Sequence, residues 1–258
     1  MDRDEIQSRL DRELHSHGAR LKDADQWKVR QDVFDEATLI ALYRLANKKI
    51  ISSIGGALST GKEANIFLGE KDGQLIVIKI YMIRTANFKA MTDYLDGDPR
   101  FANVRRIKKE IIFAWTRKEY SNLMRAQEAG IAVPKPLAFN RNILLMEFLG
   151  KDEKPYPQLR LAMMEDAEKI YHLILEYMEI LCKKARLIHA DLSEYNILLG
   201  DRPYLIDMGQ SVTLDHPRAM QFLIRDIANV NRFFKSYCDT IADKELFGKI
   251  TEGIIQEP

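Results

Sequence analysis

Four polar features, taken together, could do chemistry, and the first of them is a lysine in an apolar strand, where an idle charge would be costly to bury. They are Lys79 inside LIVIKIY, Glu119 in a helical pattern further on, the segment HADLSEYN from His189 to Asn196, and Asp207 in YLIDMG. Their types suit phosphoryl transfer. A phosphoryl group in flight spreads negative charge over its oxygens, so Mg²⁺ must be held beside it by hard oxygen ligands, here Asn196 and Asp207. Asp191 is placed to accept or orient the attacking hydroxyl. Lys79, held by Glu119, would neutralise the α and β phosphates of ATP, a task a flexible unpaired lysine performs poorly. Each feature alone has a plainer reading: an edge-strand lysine with its ammonium in water, a solvent-facing helix glutamate, an HxD turn or helix start. The joint spacing favours chemistry, because Asp191 and Asn196 reproduce HxDxxxxN and Asp207 opens a DxG after a short strand pair.

The stretch IGGALSTGKEANIF has the Walker A spacing GxxxxGK up to its last letter. There the residue after the lysine is Ser or Thr, whose hydroxyl binds Mg²⁺, and a helix follows. Here it is Glu63, followed by Ala-Asn-Ile-Phe-Leu, which alternates like a strand. The segment therefore reads as a nucleotide loop between two strands, with Gly61 as the middle glycine and Ser59 and Ala64 where glycines usually stand. Side chains of Ser59, Thr60 and Lys62 then make the phosphate contacts. The plain alternative is an ordinary turn.

These residues need elements to position them. Strand signals run from Ala64 to Gly69 and from Leu75 to Tyr81 across a Lys-Asp-Gly turn, and NILLMEFLG reads as a buried strand entering the hinge-like loop GKDEKPYPQ. Between them, a charged stretch from Arg84 to Lys109 is expected to be a mobile loop, followed by a helix ending at Gly130. Asp166 is a plausible cap for a helix with Ile170, Ile174, Tyr177 and Leu181 on one face. Short strands at Asn196–Leu199 and Pro203–Ile206 precede helical patterning from Pro217, a residue suited to a first helical position. The expected organisation is α+β with two lobes: an N-terminal helical segment over 1–53 packing on the rest, a strand-rich lobe over 54–149, and a mainly helical lobe over 150–258.

Composition excludes several classes. With 46% hydrophobic residues in 258, the chain can bury a large core, and a net charge of +1 provides no bulk field for nucleic acid. Two cysteines in helix-like patterns make no disulfide framework. No signal peptide or membrane span is visible, so a cytoplasmic location with no membrane partner is expected.

STGKEAN, HADLSEYN, IDMGQSV and DHP followed by ANVNRFF resemble the RIO atypical serine/threonine protein kinases, and STGKEA resembles the first RIO subfamily. The resemblance covers roughly Ile54 to Phe234. It implies a two-lobed protein-kinase-like fold without the activation loop and peptide-docking helices, since nothing after Gly209 reads as an APE motif. It also implies use of ATP with Mg²⁺ (or Mn²⁺), Ser/Thr phosphorylation including autophosphorylation, and a role in maturation of the small ribosomal subunit, with pre-small-subunit particles as partners. Carried over by position, Asp191 is the proton acceptor, Lys79 the phosphate contact, and Asn196 and Asp207 the metal ligands. Asp207 is also a candidate aspartyl-phosphate, which makes ATP hydrolysis part of the cycle. MEFLG becomes the hinge: main chain of Glu147 and Leu149 meets adenine, with Met146 at the back of the pocket or simply in the core.

The departures have consequences. Ser193 stands where ordinary protein kinases keep a lysine, so slow phosphotransfer is expected. Arg84 to Trp115 holds no serine, only Thr85 and Thr92 as hydroxyls for autophosphorylation. Arg105, Arg106, Lys108 and Lys109 form either a solvated face or a contact for ribosomal RNA. Two other readings stay in play: an ATP-hydrolysing assembly factor with little protein-kinase activity, and a small-molecule kinase of the aminoglycoside or choline type, against which STGKEAN argues.

Overall fold

The computed structural model describes Ser8, residues 35–83 and residues 85–254. The expected helical character of residues 1–34, Ser8 aside, lies outside the described residues. The chain forms two compact units. One comprises the described residues up to Lys89 with Val104–Tyr120 and Pro136–Phe148; the other comprises Ala90–Asn103, Ser121–Lys135 and everything from Leu149 onward.

The first unit is built on a five-stranded antiparallel sheet in the order β1-β2-β3-β5-β4: β1 (Ser53–Thr60), β2 (Ala64–Lys71), β3 (Gln74–Tyr81), β4 (Pro136–Asn140) and β5 (Ile143–Glu147). β2 and β3 turn at Asp72 and Gly73, both with positive φ, the geometry that a tight hairpin with right-handed twist demands. Helix α1 (Glu36–Asn47) is capped by Asp35, whose carboxylate accepts from Thr38 N at 2.9 Å. Its apolar face, Leu39, Leu42 and Leu45, joins Ile51, Phe67, Ile78 and Leu145 in one core. Asn142 ties this helix to the sheet: its Nδ2 donates to Thr38 Oγ1 at 2.7 Å and to the Tyr81 carbonyl at 2.9 Å.

The stretch expected as a loop contains a helix, α2 (Phe88–Leu95), and a 3₁₀ turn at Pro99–Phe101 capped by Asp98. Arg84 lies outside the described residues. The reason for the helix is visible afterwards: Met91 and Leu95 are one helical turn apart and both are buried. α3 (Lys108–Glu128) follows and stops at Gly130, whose φ of +92° suits glycine.

The second unit carries α4 (Ala167–Lys183), α5 (Ala219–Phe234) and α6 (Asp243–Thr251). Asp166 caps α4 by accepting from Lys169 N at 2.9 Å. Pro217 precedes the α5 cap residue Arg218 and so stands outside the helix that it was expected to begin. GKDEKPYPQ is not all loop: β6 (Gly150–Lys151) and β7 (Lys154–Pro155) form a small hairpin whose turn residues Asp152 and Glu153 have positive φ. Three strand pairs complete the unit: that hairpin, β9 (Ile197–Leu199) with β10 (Pro203–Leu205), and β8 (Leu187–Ile188) with β11 (Val212–Thr213). A buried tyrosine locks the helices, as Tyr171 Oη donates to Asn231 Oδ1 at 2.7 Å and accepts from Ile241 N at 3.0 Å. Among the described residues no helix is long and apolar enough to cross a membrane.

Candidate active site

In the first unit, Lys79 follows from its strand. β3 is buried along Ile76, Ile78, Lys79, Ile80 and Tyr81, so its ammonium cannot reach bulk water without a partner. Glu119 of α3 supplies one: Nζ lies 2.8 Å from Oε1, and the Tyr81 hydroxyl donates to Oε2. The Lys79 ammonium also stands 5.1 Å from the centroid of the Tyr81 ring. The edge-strand alternative for Lys79 is thereby excluded, since β3 is third of five strands.

The β1–β2 turn begins no helix, which removes the Walker A reading. Gly61 N donates to the Ala64 carbonyl at 3.0 Å and to Asn65 Oδ1 at 3.3 Å, and a Cβ on Gly61 would stand 3.2 Å from the Ala64 oxygen. Glycine is favoured there by this close approach. Ser59, Gly61 and Lys62 are all exposed, and Thr85 Oγ1 donates to the Lys62 carbonyl. In the buried strand β5, Met146 pairs with Val77 and Glu147 with Ile76; the Glu147 side chain is exposed.

In the second unit, Leu149 is buried and its carbonyl accepts from Tyr156 N at 3.0 Å. Asp191 and Asn196 are in contact: Asn196 Nδ2 donates to the Asp191 carbonyl at 2.8 Å and to Asp191 Oδ2 at 3.1 Å. This spends the amide hydrogens inward and turns Asn196 Oδ1 away from them. Asp207 is exposed, with φ +61°. Among the described residues no three His, Cys, Asp or Glu side chains gather as a metal cluster. One carboxylate and one amide oxygen nevertheless fit Mg²⁺, which keeps several waters and takes the rest of its ligands from substrate phosphates.

The neighbours of Asp191 are held by a residue that sequence reasoning assigned no role. Asp226 of α5, 1% exposed, accepts from Ala190 N at 2.7 Å and from Leu192 N at 2.9 Å. Burial pushes its carboxyl up to about 7, against these two donors and the adjacent Arg225 guanidinium, which favour the charged form. Arg225 Nη2 donates to the Ala190 carbonyl. Ala190 has φ +65°, a conformation that persists for a non-glycine residue only where its surroundings over-determine it, and these bonds do so. A signal existed in the sequence: Asp226 falls among Phe222, Leu223, Ile227 and Val230, the apolar face of an amphipathic helix.

The loop after Asp207 is held likewise. Asn122, fully buried on α3, donates to the carbonyls of Met208 at 2.8 Å and Ser211 at 2.9 Å. Its own Oδ1 accepts from Arg100 Nη2 at 2.9 Å, and Arg100 pairs with buried Asp98 at 2.7 Å. His189 Nε2 donates to the Ile206 carbonyl at 3.1 Å, and burial lowers its pKa to about 4, so the imidazole is neutral.

The twisted antiparallel sheet with its buried Lys–Glu pair, and the helical unit carrying the Asp191–Asn196 loop, are those of a protein-kinase-like fold. Solved structures of Rio2 kinase from Chaetomium thermophilum share it, one covering 92% of this chain and 75% of that chain at TM-score 0.65 and 24% identity. Another, an ADP/Mg²⁺-phosphoaspartate complex of that kinase, covers 84% and 70% at TM-score 0.63 and 22% identity. The RIO domain model matches residues 65–246, and the chain belongs to the RIO kinase family, in its Rio1 branch. It is 47% identical over 235 residues to the RIO-type serine/threonine-protein kinase Rio1 of Haloferax volcanii, covering 90% of this chain and 80% of that protein. Serine/threonine-protein kinase RIO1 of Homo sapiens is 35% identical over 252 residues; these span 92% of this chain and 44% of the human protein.

Proposed function

We propose that this protein is an ATP- and Mg²⁺-dependent serine/threonine protein kinase that also autophosphorylates and hydrolyses ATP, acting in the cytoplasm on maturation of the small ribosomal subunit. The observation that carries the reading is the buried 2.8 Å pair of Lys79 and Glu119, which fixes an ammonium on a central strand as phosphate binding requires. Lys79 meets the α and β phosphates. The Gly61 N–H is used inside its own turn, so exposed Ser59, Thr60 and Lys62 supply the anion contacts of that loop. At the hinge the Leu149 carbonyl accepts from Tyr156 N, and the main chain of Glu147 and Leu149 meets adenine, with Met146 behind. Asp207 and the outward Oδ1 of Asn196 hold Mg²⁺, which supplies charge neutralisation at the phosphates when bound. Asp191 receives the proton of the acceptor hydroxyl.

A second reading rests on one specific likeness, the phosphoaspartate in the Chaetomium thermophilum Rio2 complex. By analogy Asp207, exposed and in a left-handed conformation, takes the phosphoryl group itself, and hydrolysis drives release from a pre-ribosomal particle. Exposed Arg105, Lys108 and Lys109 are the proposed contacts to ribosomal RNA, together with Arg106. The test is radiolabelled ATP with the purified protein, alone and with pre-small-subunit particles, separating protein-bound label from released phosphate. Label on serine or threonine supports the kinase; free phosphate with no label on serine or threonine supports the assembly factor; neither product sinks both.

A further inference from the structure

Gln210 is the third residue after Asp207, and no role above uses it. Its Nε2 donates to Asp191 Oδ2 at 3.0 Å, the oxygen that also accepts from Asn196 Nδ2 at 3.1 Å. A free carboxylate turns broadly about its last torsion, and two amide donors converging on one oxygen stop that turn, so the direction of the other oxygen is set. The donor stands on a braced loop. Asn122 binds the carbonyls of Met208 and Ser211 on either side of Gly209 and Gln210, and Asn122 carries Arg100 behind it.

We propose that Gln210 is a positioning residue for phosphoryl transfer: by holding Asp191 Oδ2 from the loop that begins at Asp207, it aims the carboxylate at the acceptor hydroxyl. This rests on the kinase reading above. In the step concerned, the bond from the γ-phosphorus to the β,γ-bridging oxygen breaks and ADP leaves. A bond from the γ-phosphorus to the serine oxygen forms, and the hydroxyl proton passes to Asp191. Gln210 touches none of the reacting atoms, so its loss acts on the rate through Asp191 and leaves ATP binding alone.

The experiment compares Gln210→Ala, Gln210→Asn and the isosteric Gln210→Glu, measuring label transfer to casein and to the protein itself over a range of ATP concentrations, with thermal melts of each variant. Loss of the donor is expected to lower kcat about tenfold or more in the Ala variant, with KM for ATP within about twofold. The Asn variant keeps an amide that falls short and should match Ala. The Glu variant fills the same space but sets a second carboxylate against Asp191, so it should be slower still. A space-filling role reverses that order, with Glu near the wild type and Ala worst, and this reversal overturns the proposal, as would wild-type kcat in the Ala and Asn variants. If Glu fails to fold, the Ala and Asn rates with their KM values decide. A wild type that transfers no label removes the kinase reading and this inference with it, whereas an active wild type with unaffected variants removes this inference alone.

Discussion

Lys79 Nζ lies 2.8 Å from Glu119 Oε1 with side-chain exposures of 7% and 1%, one partner on the third of five strands and the other on α3. A pair this buried is costly to half-remove, because the remaining charge keeps its desolvation cost without its partner. Lys79→Ala should therefore lower stability by roughly 3 kcal/mol while the fold persists through the Tyr81–Glu119 contact, and should lower phosphotransfer by ~10² or more. Denaturant melts and label-transfer rates at saturating ATP check both, and near-wild-type transfer would sink the assigned role of Lys79.

Asp191 and Asp207 should separate chemistry from binding. Asp191→Asn is expected to hold nucleotide affinity within about tenfold yet cut transfer by ~10² or more, the scale of losing a general base. Asp207→Asn should weaken Mg²⁺-dependent nucleotide binding as well, and should abolish any hydroxylamine-sensitive label. Calorimetric titration with and without Mg²⁺, paired with rates, reads the difference. Equal loss of binding in both variants contradicts this division of roles.

Asp226 holds both N–H groups that flank Asp191, with Ala190 in a left-handed conformation between its bonds. Asp226→Ala leaves two backbone donors in a buried site with no acceptor, a loss of about 1–3 kcal/mol for each such group. The expected result is a lower melting temperature together with a fall in kcat, and Asp226→Asn, which retains an acceptor oxygen, should recover part of each. An Asp226→Ala protein with unchanged melting and rate would show that the catalytic-loop backbone does not depend on this carboxylate.

His189 should make the fold acid-sensitive. Its folded pKa, about 4, is below the ordinary 6.5 because burial opposes the charge. The unfolded chain then binds more protons between those values, so this residue's contribution to stability is intact above about pH 6.5 and falls as pH drops toward 4. At about 1.4 kcal/mol per pH unit the loss is roughly 3 kcal/mol. Urea melts across that range, for wild type and His189→Gln, should show the stability difference between them shrinking toward acid pH. Imidazole proton NMR should find one of the five histidines neutral near pH 5. A normal titration near 6.5 would refute the burial argument.

The candidate site residues were legible in the sequence because their types and spacing are local: HADLSEYN places Asp191 and Asn196 in one turn, and their contact at 3.1 Å is a short-range matter. The hairpin at Asp72 and Gly73 was legible for the same reason, since glycine and aspartate tolerate positive φ. The helix Phe88–Leu95 was not. It sits between charged flanks, including Asp96-Gly-Asp-Pro99, that read as loop, and its Met91 and Leu95 acquire meaning only when buried. The small hairpin after Glu147 was hidden by the two prolines of GKDEKPYPQ, one of which, Pro155, sits in the strand itself.

What this sequence determined by itself is the inventory of chemistry: a lysine in an apolar strand, a glutamate in a helix, and two aspartates and an asparagine at kinase spacing, read as a base and two oxygen ligands. Tertiary structure decided which alternatives survive and what supports the survivors. Lys79 is central and not at an edge because β5 pairs with β3 beyond it, a pairing of strands sixty-odd residues apart in the chain. Asp226, Asn122 and Gln210 hold the site through bonds to residues 34 to 89 positions away for the first two and 19 for the third. Local propensity cannot encode such partners, since an aspartate, asparagine or glutamine has the same helix or loop preference whatever it binds. Only the packing that brings distant backbone carbonyls and amides within hydrogen-bond reach, and excludes water from them, gives these side chains their partners.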